Sequence, residues 1–147
     1  MRENTTFDWN PDQGLATAII EYKDRIYVGT AQCHPDDKDF QNMLTGQEIA
    51  YRRASIKVLC DIKKNELKPG LQALKDYLYS INKGKYFNKK DPMVKILYHN
   101  INIRQEEIDM VDEMIKNQRQ DLREYLASKE KLYSQFREKR AKAGKTE

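Results

Sequence analysis

INIRQEEIDMVDEMIKNQRQDLREYLASKEKLYSQF, residues 101–136, is the stretch on which the reading of this chain turns. Ile101, Ile108, Ile115, Leu122, Lys129 and Phe136 fall seven apart. Arg104, Val111, Gln118, Tyr125 and Leu132 repeat that interval three residues on. A heptad of this kind lines one helix face with side chains that need a partner helix. Polar entries at Arg104, Gln118 and Lys129 interrupt it. The helix is predicted over 91–140, with Asp91 as its cap and Pro92 in the first turn, where a missing N–H leaves no bond unmade. A helix of ~45 residues extends ~68 Å, more than a compact domain of 147 residues needs. A second subunit is therefore expected to cover what the first helix leaves bare. Residues 141–147 form a basic tail, and the stretch from Arg137 to Lys145 is expected to fray.

Towards the N-terminus, a first helix is predicted over 45–82. Thr45 is its expected N-cap, and Glu48 three residues later completes a capping box. Ile49, Arg53, Ile56, Cys60, Lys63 and Leu67 recur at three and four, with Arg53 on an otherwise apolar stripe. Pro69-Gly70 is expected to break or kink the helix before Leu71, Leu74, Leu78 and Ile81 resume the period. The interhelical loop, NKGKYFNKK at 82–90, embeds Tyr86 and Phe87 among basic and amide residues. Earlier still, LATAIIEY (15–22) and RIYVGTAQC (25–33) flank Lys23-Asp24 and alternate in polarity, which predicts a β-hairpin over 15–34 with one covered face. Lys-Asp suits a primed turn poorly, so the loop is expected to be a residue or two longer. Residues 1–14, with Pro11 and Gly14 as breakers, read as a loose arm. The fold class is thus α+β: a short N-terminal antiparallel hairpin or sheet followed by two long α-helices, one domain over 1–147, and oligomeric.

Charged residues are 34% of the chain and apolar residues 39%, a balance that suits helices with a wet surface. No run of 18 apolar residues exists and the start lacks a secretion signal, so a cytoplasmic location is expected, with no membrane partner. Two cysteines, Cys33 and Cys60, are too few for a disulfide framework. The net charge of +4 is concentrated: from Lys116 onward ten Lys/Arg face five Asp/Glu, an excess of five that leaves about −1 for the rest. Such a patch attracts phosphates.

Catalysis finds little support. His34 and His99 are far apart in sequence, and neither has a nucleophile and an orienting acid at helical spacing. No CxxC or HxxxH pair, EF-hand loop or phosphate loop occurs, so no metal or cofactor is implied. Binding has better candidates. Arg119 and Arg123 are four apart on the last helix, so two guanidiniums project side by side and can grip adjacent phosphates; the competing use is an ion pair, within the helix or between subunits, with Asp121, Glu124 or another acid. Tyr86 and Phe87 offer a face for a base, or a plug for the helix ends. Asn102 has an amide able to read an adenine edge. Arg52, Arg53 and Lys57 form a second basic cluster on the first helix, suited to an acid across an interface or to a recess at a symmetry axis.

A strand pair ending in VGTAQCHPDD (28–37), GQEIAYRRA (46–54) opening a long helix, an aromatic-basic loop and a second long helix together resemble the phage anti-Thoeris sponge proteins of the first-described type, over about residues 15–145. The resemblance implies a protein that is not an enzyme. It implies sequestration of the cyclic ADP-ribose isomer made by a TIR-domain defence enzyme, and dimers grouped into hexamers, with cyclic trinucleotides held by some members in separate recesses. It places the diphosphate-gripping pair on Arg119 and Arg123, the polar helix residue on Asn102, and the adenine-stacking aromatic on Phe87 or Tyr86. Arg52, Arg53 and Lys57 are its candidates for a trinucleotide recess. The distance from the aromatic to Asn102 departs from the family's pattern.

Two other classes compete. Hairpin followed by helix also suits a double-stranded-RNA-binding module, against which stand that fold's three strands and the low Lys/Arg density near the hairpin. A structural coiled-coil assembly protein would need the heptads alone.

Overall fold

The computed structural model describes residues 4–34, 37, 41–83 and 90–145. In order these form strands β1 (Thr5–Asn10), β2 (Leu15–Tyr22) and β3 (Arg25–Gln32), helix α1 (Met43–Ile62), a π-helical stretch Lys63–Leu67, helix α2 (Lys68–Asn82) and helix α3 (Pro92–Lys145). The chain divides into two compact units, Met1–Val58 with Asn117–Glu147, and Leu59–Lys116.

The first unit is built on a three-stranded antiparallel sheet of order β1-β2-β3. The loose arm expected over 1–14 is corrected here, because Thr5–Asn10 is a strand paired with β2 from Thr5↔Ile20 to Asn10↔Leu15. Its Thr, Asp and Asn residues read as polar coil, yet they alternate with Phe7 and Trp9, which share one face and pack on the core. The β2–β3 loop needs no extra residue. Tyr22 pairs with Arg25, and Lys23 and Asp24 take positive φ of 47° and 62°, as a two-residue primed turn requires.

Small side chains decide which sheet face is covered. Ala16, Ala18, Gly29 and Ala31 are buried, as are Ala50 and Ala54 on α1, while Ile26 and Val28 point to solvent. A Cβ on Gly29 would lie 2.0 Å from the Ala50 carbonyl oxygen and 2.6 Å from the Ala54 amide nitrogen. The helix rests almost directly on the strand, an approach open only to glycine. The buried stripe of α1 is therefore Ala50/Ala54, one residue out of register with the expected Ile49/Arg53 line.

Asn42, not Thr45, caps α1. Its Oδ1 accepts the Leu44 and Thr45 amides at 2.9 and 3.2 Å, Thr45 is buried inside the first turn, and Glu48 pairs with Arg52 at 3.1 Å. Ahead of Pro69 the bonding pattern widens to the π-helical turn at Lys63–Leu67 and the helix then continues. This is how the chain accommodates a proline that lacks an N–H and crowds the preceding turn.

The second unit contains the end of α1, the π stretch, α2 and the start of α3. Asp91 caps α3 as expected, its Oδ1 accepting the Met93 amide at 2.9 Å. Leu71, Val94, Leu97, Ile108, Val111 and Ile115 are its buried apolar residues, and Lys63 pairs with Asp112. The buried seam of α3 thus begins at Val94, one heptad before Ile101. Helix α3 runs from Pro92 to Lys145, five residues past the predicted end at 140. Among the described residues no helix is long and apolar enough to cross a membrane.

Candidate functional site

The first unit contains a half-open cavity of about 430 Å3, within the usual range for small-molecule sites. Trp9 of β1, Ala31 and Gln32 of β3 and Ile49 of α1 form one side. Leu126, Lys129, Glu130, Tyr133 and Arg137 form the other, and their spacing of three and four puts them on one face of α3. Cys33, His34 and Asp37 lie at its rim.

A bond spanning 100 residues of chain ties that rim to α3. The Arg137 guanidinium donates through Nε to Asp37 Oδ1 at 2.7 Å, through Nη2 to Asp37 Oδ2, and through Nη1 to Glu130 Oε1 at 2.9 Å. Asp37 is 3% exposed. The guanidinium holds its carboxyl below the usual carboxylate range, against the opposing effect of burial. The Cys33 thiol donates to the Asp37 carbonyl at 3.5 Å, and burial followed by the Asp37 charge pushes it up. Burial likewise raises the Tyr133 phenol. Near neutral pH the cavity therefore presents a thiol rather than a thiolate, and an un-ionised phenol, which does not make a nucleophile. Among the described residues no three of His, Cys, Asp and Glu group to hold a metal ion.

The residues singled out from the sequence fall elsewhere. Tyr86 and Phe87 lie outside the described residues. Asn102 is exposed on α3 within the second unit; Arg119 and Arg123 are exposed on α3 within the first. Arg123 donates to the neutral Gln120 Oε1 at 2.7 Å, while Gln120 Nε2 donates to Glu124 Oε1 at 3.0 Å. The glutamine amide stands between arginine and acid, so Gln120 bridges Arg123 to Glu124. The basic trio of α1 does not converge. The Arg52 guanidinium lies 5.0 Å from the Tyr125 ring centroid. Arg53 and Lys57 instead donate to the Thr30 and Val28 carbonyls at 2.7 and 2.6 Å. These carbonyls are on the free edge of β3, so the two cations cover an edge that would otherwise recruit another strand. Arg53 is exposed, not a buried-stripe arginine.

The cavity is not legible in the sequence because its walls come from four segments far apart along the chain, and because Trp9 lies in a stretch of coil-like composition. The available signals were the alternation of Phe7 and Trp9 and the Leu126–Arg137 spacing. No family model, no curated protein and no solved structure matches this chain.

Proposed function

We propose that this chain is a non-catalytic binding protein that captures a cyclic ADP-ribose isomer and withholds it from a TIR-domain antiphage defence, as a phage-encoded sponge would. The observation that carries the reading is the state of Arg123. Its guanidinium is bonded to an uncharged amide and to no carboxylate among the described residues, beside Arg119 one turn away. Two exposed guanidiniums four apart on a helix match a diphosphate in spacing and charge. The base-reading amide of Asn102 and the stacking ring of Phe87 or Tyr86 enter this reading only as what the resemblance implies. Assembly through further copies, as dimers within a hexamer, is part of the same reading. It is supported by Ile96, Ile103 and Met110, seven apart and exposed on α3.

Calorimetric titration with a cyclic ADP-ribose isomer, beside light scattering, tests it. Arg123→Ala is expected to weaken capture roughly ten- to over a hundredfold, the loss of a charge-assisted bond of about 1.5–3 kcal/mol, with assembly mass unchanged. Ligand recovered after denaturation should be chemically intact. Unimpaired capture by the Arg119→Ala, Arg123→Ala double variant overturns the site. A second reading, a double-stranded-RNA-binding module, is favoured by one observation: the sheet has three strands, which removes the strand-count objection. Steeply salt-dependent binding to long RNA duplexes, with no capture of the small nucleotide, would select it.

A further inference from the structure

We propose that the cavity of the first unit is a binding site in its own right, taking a planar aromatic molecule that carries one anionic head, with Lys129 as the residue that holds the head. It does not rest on the Arg119/Arg123 reading and uses none of its residues.

The charge balance of the walls carries the argument. Among the described residues, four charged side chains line the space: Asp37, Glu130, Arg137 and Lys129. Both acids are spent on one partner, since Arg137 bonds Asp37 through two nitrogens and Glu130 through the third. The strongest anion-binding group in the cavity is thereby neutralised, and the acids are neutralised with it. Lys129 remains. Its ammonium lies 5.3 Å from the Tyr125 ring centroid, and it makes no ion pair among the described residues. It is half-buried and lines the cavity. A partly desolvated ammonium without a carboxylate favours an anion from solution.

The body of the ligand follows from the other walls. Trp9, Ala31, Ile49 and Leu126 are apolar and face the same space, with the indole as the large flat surface among them. Aromatic rings pair with such a surface face-on or edge-on. Tyr133 lies one turn beyond Lys129 on the same helical face, and its phenol stays protonated near neutral pH. Two sources share this chemistry, a nucleoside monophosphate and an aromatic carboxylate.

The chain contains a single tryptophan, and it is Trp9, so its emission reports entry directly. The purified chain is titrated with adenosine 5′-monophosphate and with phenylacetate, each beside its uncharged counterpart, adenosine and 2-phenylethanol. A saturable change with one anion, roughly tenfold or more tighter than its counterpart, is expected. Which anion saturates identifies the source. Lys129→Met should abolish the preference for the anion, and Lys129→Arg should keep it. Equal response to charged and uncharged probes, or an undiminished preference in Lys129→Met, overturns the role of Lys129. No saturable response of Trp9 to any of the four probes overturns the site.

Discussion

The sheet-and-helix region and the Leu59–Lys116 region solve the same problem, burying apolar surface in a short chain, by opposite means. In the first, Ala16, Ala18, Ala50 and Ala54 reach zero exposure because each is small and Gly29 lets two backbones nearly touch. In the second, Leu71, Val94, Leu97, Ile108, Val111 and Ile115 are large and each keeps a few per cent of exposure, while Met93, Ile96, Ile103, Met110 and Met114 stay open. Close approach gives a contact that tolerates no added atom. A broad stripe of long side chains gives a contact that is adaptable and, within one chain, incomplete.

The largest expected effect tests the intolerant side. Gly29→Ala places a methyl where the Ala50 carbonyl already sits, so α1 must lift from β3. The cost is expected to exceed about 3 kcal/mol in urea unfolding, or to prevent folding. A loss under about 1 kcal/mol would show that the two backbones separate easily and that the comparison is misdrawn.

Next comes a pair within the second region. Ile108 is 5% exposed and Ile103 is 38% exposed. Ile108→Ala should cost about 2–4 kcal/mol, and Ile103→Ala less than about 0.5 kcal/mol if the exposed stripe faces water. Equal costs, with a lower mass in light scattering for Ile103→Ala, would mean that another copy covers the stripe.

A smaller effect concerns the rim of the cavity. Asp37 has a folded pKa below its ordinary 3.8, so its ionised form is favoured by folding. Its contribution is complete above that ordinary value and disappears as pH falls through the lower folded one. Asp37→Asn should therefore melt below the parent chain at neutral pH, and the gap should close in acid below about pH 4. A gap unchanged down to pH 2 would place the effect in packing rather than charge.

The smallest effect is stabilising. Gly70 lies inside α2 with nothing within 4 Å of an added Cβ. Gly70→Ala should gain about 0.5–1 kcal/mol, opposite in sign to the same change at Gly29. A destabilised Gly70→Ala would show that the turn after Pro69 depends on glycine.

Much of the element order was legible along the chain. Val111, Ile115 and Leu122 announce a helix by spacing alone, Asp91-Pro92 marks its start, and LATAIIEY and RIYVGTAQ alternate as strands do. These signals are local: a period of seven, or of two, survives whatever the helix or strand is packed against. Residues 5–10 show where that stops. Their composition is that of a coil, and they became a strand because β2 offers a partner edge.

Only the tertiary structure chose the covered face of β3, because the choice depends on the volume of Ala50 and Ala54 opposite Gly29, and no pattern within β3 contains it. Only the tertiary structure gave Arg53 and Lys57 the β3 edge, and joined Asp37 to Arg137 across 100 residues. Residues 5–10 apart, the sequence determined which segments are helical or extended, since that follows from neighbours three, four and two residues apart. Which charges meet, and which cavity they enclose, followed from contacts between distant segments, where side-chain size and reach decide.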